Sequence, residues 1–169
     1  MNFQSWSYRF AEQVLNSNLT VKNEIESVVR SVELPPTAYV RPELNTRFDK
    51  AFVKLGWQRQ PRLFEEEDVD TDEEMPFSKI DFLKARVGVE VAFSHASFIG
   101  IDLLKFQTLS YANLDKIDVG VYVIATNALH KATGKAFDGS VMFEKVHRYL
   151  PHFKSAIQVP IWVIGLLPS

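Results

Sequence analysis

Residues Val87 to Phe93 constrain the chain more than any other stretch. Val87, Val89, Val91 and Phe93 alternate with Gly88, Glu90, Ala92 and Ser94, and a period of two with one wholly apolar face is the pattern of a strand. Glu90 then points from the opposite face, in the middle of a strand whose other residues look buried. An ionised carboxylate is costly in such a place unless something pairs with it. Asp81, at the end of the preceding strand-like run Lys79–Leu83, is its natural neighbour. Two carboxylates held together without a cation repel until one of them takes up a proton. A divalent metal ion with oxygen ligands resolves the conflict. The other readings are that Glu90 pairs with Lys84 or Arg86, or faces solvent from a one-sided sheet. The strand pattern alone leaves all of these open.

The 169 residues suit a single domain with a real core, which thirteen Phe and three Trp would fill. The longest apolar candidate, Ile157 to Leu167, is short and carries Gln158 and Pro160, so no membrane span is expected. The start, Met1-Asn-Phe-Gln-Ser-Trp, lacks the basic opening and apolar core of a signal peptide. With no cysteine, disulfides and thiolate chemistry are excluded, and the expected address is the cytoplasm. The net charge of −2 conceals a division. Residues 65–74 hold eight of the 21 acidic side chains and no base, which leaves 13 acidic against 19 basic residues elsewhere. A mildly basic body permits a polyanionic partner without demanding one.

Along the chain, Trp6, Phe10 and Val14 recur every four residues and predict a helix over Ser5–Leu15. A second helix is capped by Thr20 and carries Val21, Ile25, Val28, Val29 and Val32 on one face, before Pro35-Pro36. A third starts near Pro42, turns Leu44, Phe48, Phe52 and Leu55 inward, and closes at Gly56. Residues 58–78 read as a loop around the acidic run. Strands follow at about 79–83 and 87–93, then a helix from Phe98 to Asn113 with Ile101, Leu104, Leu109 and Ala112 as its apolar positions. The strand 117–125, the helix 141–149 and the strand 159–166 complete the chain. Strands alternating with helices predict an α/β domain, a mixed sheet covered on both sides. The expected organisation is N-terminal helices over 1–57, an acidic loop over 58–78 and a core over 79–169. Other chemistries find no support. There is no Gly-x-Ser-x-Gly elbow and no phosphate loop around Thr133-Gly-Lys135, and His95, His130, His147 and His152 form no ligand cluster.

The stretch Lys79–Leu167 resembles the BglII-type type II restriction endonucleases of the PD-(D/E)xK nuclease superfamily, with their BamHI-like relatives. The resemblance rests on Ile80-Asp-Phe82, Lys84 and Val89-Glu-Val-Ala-Phe-Ser94, and continues through Ile117–Ile124 to Val159-Pro-Ile-Trp-Val-Ile-Gly-Leu166. Upstream, Asn45–Trp57 is similar to the helix that precedes the catalytic hairpin. The resemblance implies a restriction-endonuclease-like fold in a prokaryotic cell interior and a homodimer that cuts palindromic double-stranded DNA once per strand, with helix 98–113 contributing to the dimer. It implies that Asp81, Glu90 and the main-chain carbonyl of Val91 hold Mg²⁺. Lys84 and Arg86 would lie near backbone phosphates, and Ser94 and His95 would face DNA.

The chain departs from this pattern at the third catalytic position, two residues after Glu90, which is usually Lys in the superfamily and Gln or Glu in these relatives. Here it is Ala92, which can hold neither a water nor a metal. Three readings follow: an inactivating substitution, a natural DNA-binding pseudo-enzyme, or another group, such as His95 or Glu43, in the missing role. Relatives also continue well past the last strand, so part of their recognition surface is expected to be missing or to come from elsewhere, for instance the N-terminal helices.

Overall fold

The alternation at Val87–Ala92 becomes the interior of a six-stranded mixed sheet in the computed structural model, which describes residues 1–61, 79–111 and 114–168. In chain order the elements are β1 (Asn2–Tyr8), α1 (Ala11–Asn16), α2 (Leu19–Ser31), α3 (Val40–Lys54), β2 (Gln58–Arg59), β3 (Phe82–Lys84) and β4 (Val87–Ala92). They continue with α4 (Ile99–Ser110), β5 (Val119–Ala125), α5 (Asn127–Ala132), α6 (Phe143–Tyr149) and β6 (Ile161–Leu167). The sheet order is β1-β6-β5-β4-β3-β2. β4, β5 and β6 run parallel, and the outer pairs on both sides are antiparallel. The parallel strands read as near-continuous apolar runs because both of their faces are covered.

The period of two sends the chain's apolar side chains into two cores. Val87, Val89, Val91 and Phe93 join Val21, Ile25 and Val28 of α2 and Leu44, Phe48 and Phe52 of α3. The other face of the sheet, with Ala92, Tyr122 and Ile124, packs under Leu103, Phe106 and Leu109 of α4 and Val146 of α6. Gly120 sets the closeness of that second layer: a Cβ there would lie 2.6 Å from the ring of Phe106. The absent side chain lets α4 lie down on β5.

Several expectations need correction, among them Leu55, expected to face inward from the third helix but 38% exposed, and the loop expected from residue 58, which opens with the short strand β2. The helix expected over Ser5–Leu15 is a strand, a tight turn and a short helix. β1 pairs with β6 along its whole length, Arg9 and Phe10 take positive φ, and only Ala11–Asn16 is helical. The strand alternation of Phe3 and Trp6 to opposite faces competes with the four-residue spacing, and the free edge of β6 decides between them. The N-terminal segment is therefore part of the sheet, not solely a helical layer. Asn18, not Thr20, caps α2, its side chain accepting from the Val21 N–H at 3.3 Å. Leu104, expected to face inward, is 52% exposed, while Leu103 and Phe106 are buried. Helix α5, a single buried Leu129 in six residues, was too short for periodicity to reveal. The acidic run 65–74 and Ala112 lie outside the described residues.

Candidate active site

β3 and β4 form an antiparallel hairpin in which Phe82 faces Val89, and one step further out Asp81 comes opposite Glu90. The Val91 N–H donates to Asp81 Oδ2 at 2.8 Å, which fixes the aspartate against the strand. Glu90 is 4% exposed on the face covered by α4. Its partner is neither Lys84 nor Arg86. Lys105 reaches down from α4 and donates to Glu90 Oε1 at 2.8 Å. Asp102, one helical turn earlier, is also buried. It accepts from the Tyr122 hydroxyl at 2.7 Å and lies 3.8 Å from Lys105. Tyr122 in turn stands beside Glu90 in the β4–β5 register.

The cluster thus holds three carboxylates against one ammonium. Burial first, and then the neighbouring Asp81, push the Glu90 carboxyl well above the ordinary range, against the pull of Lys105. Burial likewise raises Asp102, opposed by the hydrogen bond from Tyr122 and by Lys105. Burial works against the charge on Lys105, but Glu90, Asp102 and Asp81 outweigh it, and the group holds its proton more tightly than a free lysine. The surplus of buried negative charge is a place for a cation. Among the described residues no three Asp, Glu, His or Cys side chains group as a metal site by themselves. The oxygen donors on offer are the pair Asp81 and Glu90 and the main chain around Val91.

These groups open onto a cavity of about 240 Å³ lined by Asp81, Glu90, Ala92, Ser94, Lys105 and, from α3, Asn45. A neighbouring cavity of about 320 Å³ shares Asn45, Asp81 and Val91 and runs along α3 to Arg59 and Gln60. The structure therefore gathers Asp81, Glu90, Val91, Ala92 and Ser94 of the expected residues into one place. His95 lies just outside it and caps a 3₁₀ turn: its Nδ1 accepts from the Ser97 N–H at 3.3 Å. Glu43 is bound by the Thr37 hydroxyl at 2.9 Å and does not line the cavity.

Lys84 and Arg86 sit at the other end of the hairpin. Lys84 Nζ donates to both Glu24 oxygens, at 2.8 and 2.9 Å, and to the Leu55 carbonyl. Arg86 clasps Asp118 and Asp115. These bonds, that to Asp118 above all, raise the guanidinium pKa and lower that of Asp118.

Sequence reasoning missed Lys105, Asp102 and Tyr122. It also missed Arg41, which donates to the Phe93 carbonyl at 3.3 Å and to Ser140 Oγ at 3.1 Å, tying α3 to the end of β4. One signal was available. Asp102 and Lys105 are the only charged side chains between Phe98 and Ser110, and they stand one turn apart in an otherwise uncharged helix.

The geometry has counterparts among known proteins. The crystal structure of restriction endonuclease BglII complexed with a DNA 16-mer aligns over 100% of this chain and 78% of that one, with a TM-score of 0.78 and 18% identity. The crystal structure of free BglII aligns over 100% and 81%, with a TM-score of 0.70 and the same identity. At that identity the likeness establishes the fold: a central mixed sheet flanked by helices, as in the restriction endonucleases. No curated protein matches the sequence. The family model for restriction endonuclease BglII/BglIII matches residues 3–166, nearly the whole chain including β1, which the hairpin motif alone did not reach. The chain belongs to the BglII/BglIII restriction endonuclease family.

Proposed function

We propose that this chain is a type II site-specific deoxyribonuclease that hydrolyses phosphodiester bonds of palindromic double-stranded DNA as a Mg²⁺-dependent homodimer. The observation that carries the reading is the convergence of half-buried Asp81 and buried Glu90 at the open end of the β3–β4 hairpin, adjacent and short of positive charge. Hard oxygen donors suit Mg²⁺, which is usually held by one or two carboxylates and keeps several waters, so a site of two carboxylates and a main-chain carbonyl at Val91 fits it. When bound, the ion polarises the scissile phosphate and makes an attacking water more acidic. Asp81 is aimed by the Val91 N–H, and Glu90 is held by Lys105, so neither carboxylate must reorganise when DNA arrives.

Ser94 and His95 are both exposed beyond the end of β4, which supports a contact with DNA. Lys84 and Arg86 would have to leave their carboxylate partners to reach a phosphate, and so would contribute less. The basic surplus outside residues 65–74 favours a polyanion in general. For the dimer, the support is three exposed apolar side chains on and at the ends of α4, Phe98 at 44%, Leu104 at 52% and Tyr111 at 64% exposure, of which Phe98 also lines the cavity. A two-fold contact there would bring two sites onto one duplex. Leu104→Glu is expected to convert the dimer to a monomer in analytical ultracentrifugation and to abolish double-strand cutting.

Ala92 favours a second reading, a DNA-binding protein without activity. Digestion of a long, sequence-diverse DNA separates the two. Discrete fragments with Mg²⁺ and none with EDTA establish the nuclease. Strongly salt-dependent binding without fragments leaves the inactive binder.

A further inference from the structure

We infer that Lys105 of α4 is the third catalytic residue, delivering across the cavity the polar group that Ala92 does not supply from β4. The inference rests on the nuclease reading above and says how the chain would cut despite its alanine.

Ala92 is 6% exposed on the same face as Glu90, and its methyl group lines the cavity that holds Asp81, Glu90 and Lys105. The third position is thus present as a place and empty of polar atoms. Lys105 enters that place from the opposite wall. Its ammonium is 2.8 Å from Glu90, and its side chain is only 13% exposed, so the cation is committed to the site and not to solvent. Two features hold it there. Phe106, the next residue, seats on Gly120 and fixes the height of α4 above the sheet. Asp102, anchored by the Tyr122 hydroxyl, flanks the ammonium one turn away. Neither His95, engaged with Ser97, nor Glu43, engaged with Thr37, lines this cavity.

Hydrolysis of a phosphodiester makes a bond from a water oxygen to phosphorus and breaks the bond from phosphorus to the leaving oxygen, which departs with the electron pair. One water proton ends on the leaving oxygen, and the other on the new phosphate monoester or in bulk water. Negative charge gathers on the non-bridging and leaving oxygens as this proceeds. An ammonium with three donors, one of them on Glu90, has two left for the phosphate oxygen and the attacking water. Buried beside carboxylates, it needs no reorganisation to act.

A purely structural counter-ion to Glu90 would occupy the same position, so the test must separate the two roles. It uses the full chain, a sequence-diverse DNA with Mg²⁺ for single-turnover cutting, Ca²⁺ in its place for DNA affinity, and thermal melting. The proteins are the unaltered chain, Lys105→Ala, the double variant Lys105→Ala/Ala92→Lys, and Ala92→Gln. The expected result is that the unaltered chain cuts and Lys105→Ala cuts about 10²–10³-fold more slowly with its DNA affinity in Ca²⁺ kept. The double variant, which returns an ammonium from β4, is expected to regain at least about tenfold of the loss.

Equal cutting by Lys105→Ala overturns the inference while the nuclease reading stands. So does a loss that follows melting and DNA affinity and is not recovered in the double variant, since that marks a structural counter-ion. Cutting by Ala92→Gln alone also overturns it, because the site would then be inactivated at Ala92. No cutting by any of the four removes the nuclease reading and the Lys105 role with it.

Discussion

The two ends of the β3–β4 hairpin carry the same kinds of side chain and do opposite things with them. At the turn, Lys84 meets Glu24 and Arg86 meets Asp115 and Asp118, every cation with a carboxylate partner and all of them reached by solvent. At the open end, Asp81, Glu90 and Asp102 share Lys105, and Glu90 and Asp102 are buried. The turn, with two cations to three solvent-reached carboxylates, lies nearer to charge balance, as a structural feature does. Exposed pairs of that kind contribute little each. The open end is kept out of balance at a cost to folding, and such a cost is normally tolerated where a ligand or a reaction needs the charge. The contrast separates fold from function within a dozen residues of one motif.

The comparison can be broken most sharply at Asp81. Asp81→Asn keeps an oxygen for the Val91 N–H and removes one of the repelling charges. Cutting is expected to fall by at least about 10³-fold, while stability in urea stays level or rises by up to about 1 kcal/mol. A variant that loses stability along with activity would place Asp81 among the structural charges. Next comes Gly120→Ala, which drives a methyl group into the Phe106 ring and lifts α4. A loss of about 1–3 kcal/mol is expected by chemical denaturation. Single-turnover cutting should fall further than unfolding explains, since Lys105 moves with the helix.

At the turn the effects shrink. Lys84→Ala is expected to cost about 1 kcal/mol, discounted for the partly exposed pair with Glu24, and to leave the cutting rate unchanged. Arg86→Ala should leave cutting unchanged as well. The depressed Asp118 carboxyl makes its ion pair a stabilisation that is complete above the ordinary aspartate pKa and is lost as pH falls through the lowered folded value. Melting curves of Arg86→Ala and the unaltered chain should therefore converge in acid. A large drop in DNA affinity or in its salt slope for either turn variant would return these residues to the DNA surface.

How much of this could be read in the sequence depended on whether the responsible contact was local. Val87–Phe93 announced a two-faced strand, and both faces are in place. The α2 and α3 stripes, Val21–Val32 and Leu44–Phe52, were legible for the same reason: one buried face repeats at helical spacing. Asp81 and Glu90 could be paired because a hairpin makes neighbours of residues close in sequence. β1 misled because Trp6, Phe10 and Val14 also fit a helix, and its true partner, β6, lies more than 150 residues away. Lys105 was missed because its meeting with Glu90 depends on α4 folding back over β4, a tertiary placement set partly by the missing side chain of Gly120. Lys84 and Arg86, which the resemblance sets near backbone phosphates, lie at the turn end of the hairpin, and their partners Glu24, Asp115 and Asp118 come from parts of the chain that the hairpin motif does not include.

The most direct test of the account is the rate of DNA cleavage by the unaltered chain beside Asp81→Asn and Glu90→Gln, measured with Mg²⁺ at equal DNA occupancy. Discrete fragments from the unaltered chain and none from either variant, with all three folded, are the expected result. Fragments of equal yield from all three, or binding without fragments by the unaltered chain, would contradict the assignment of Asp81 and Glu90 as a working hydrolytic site.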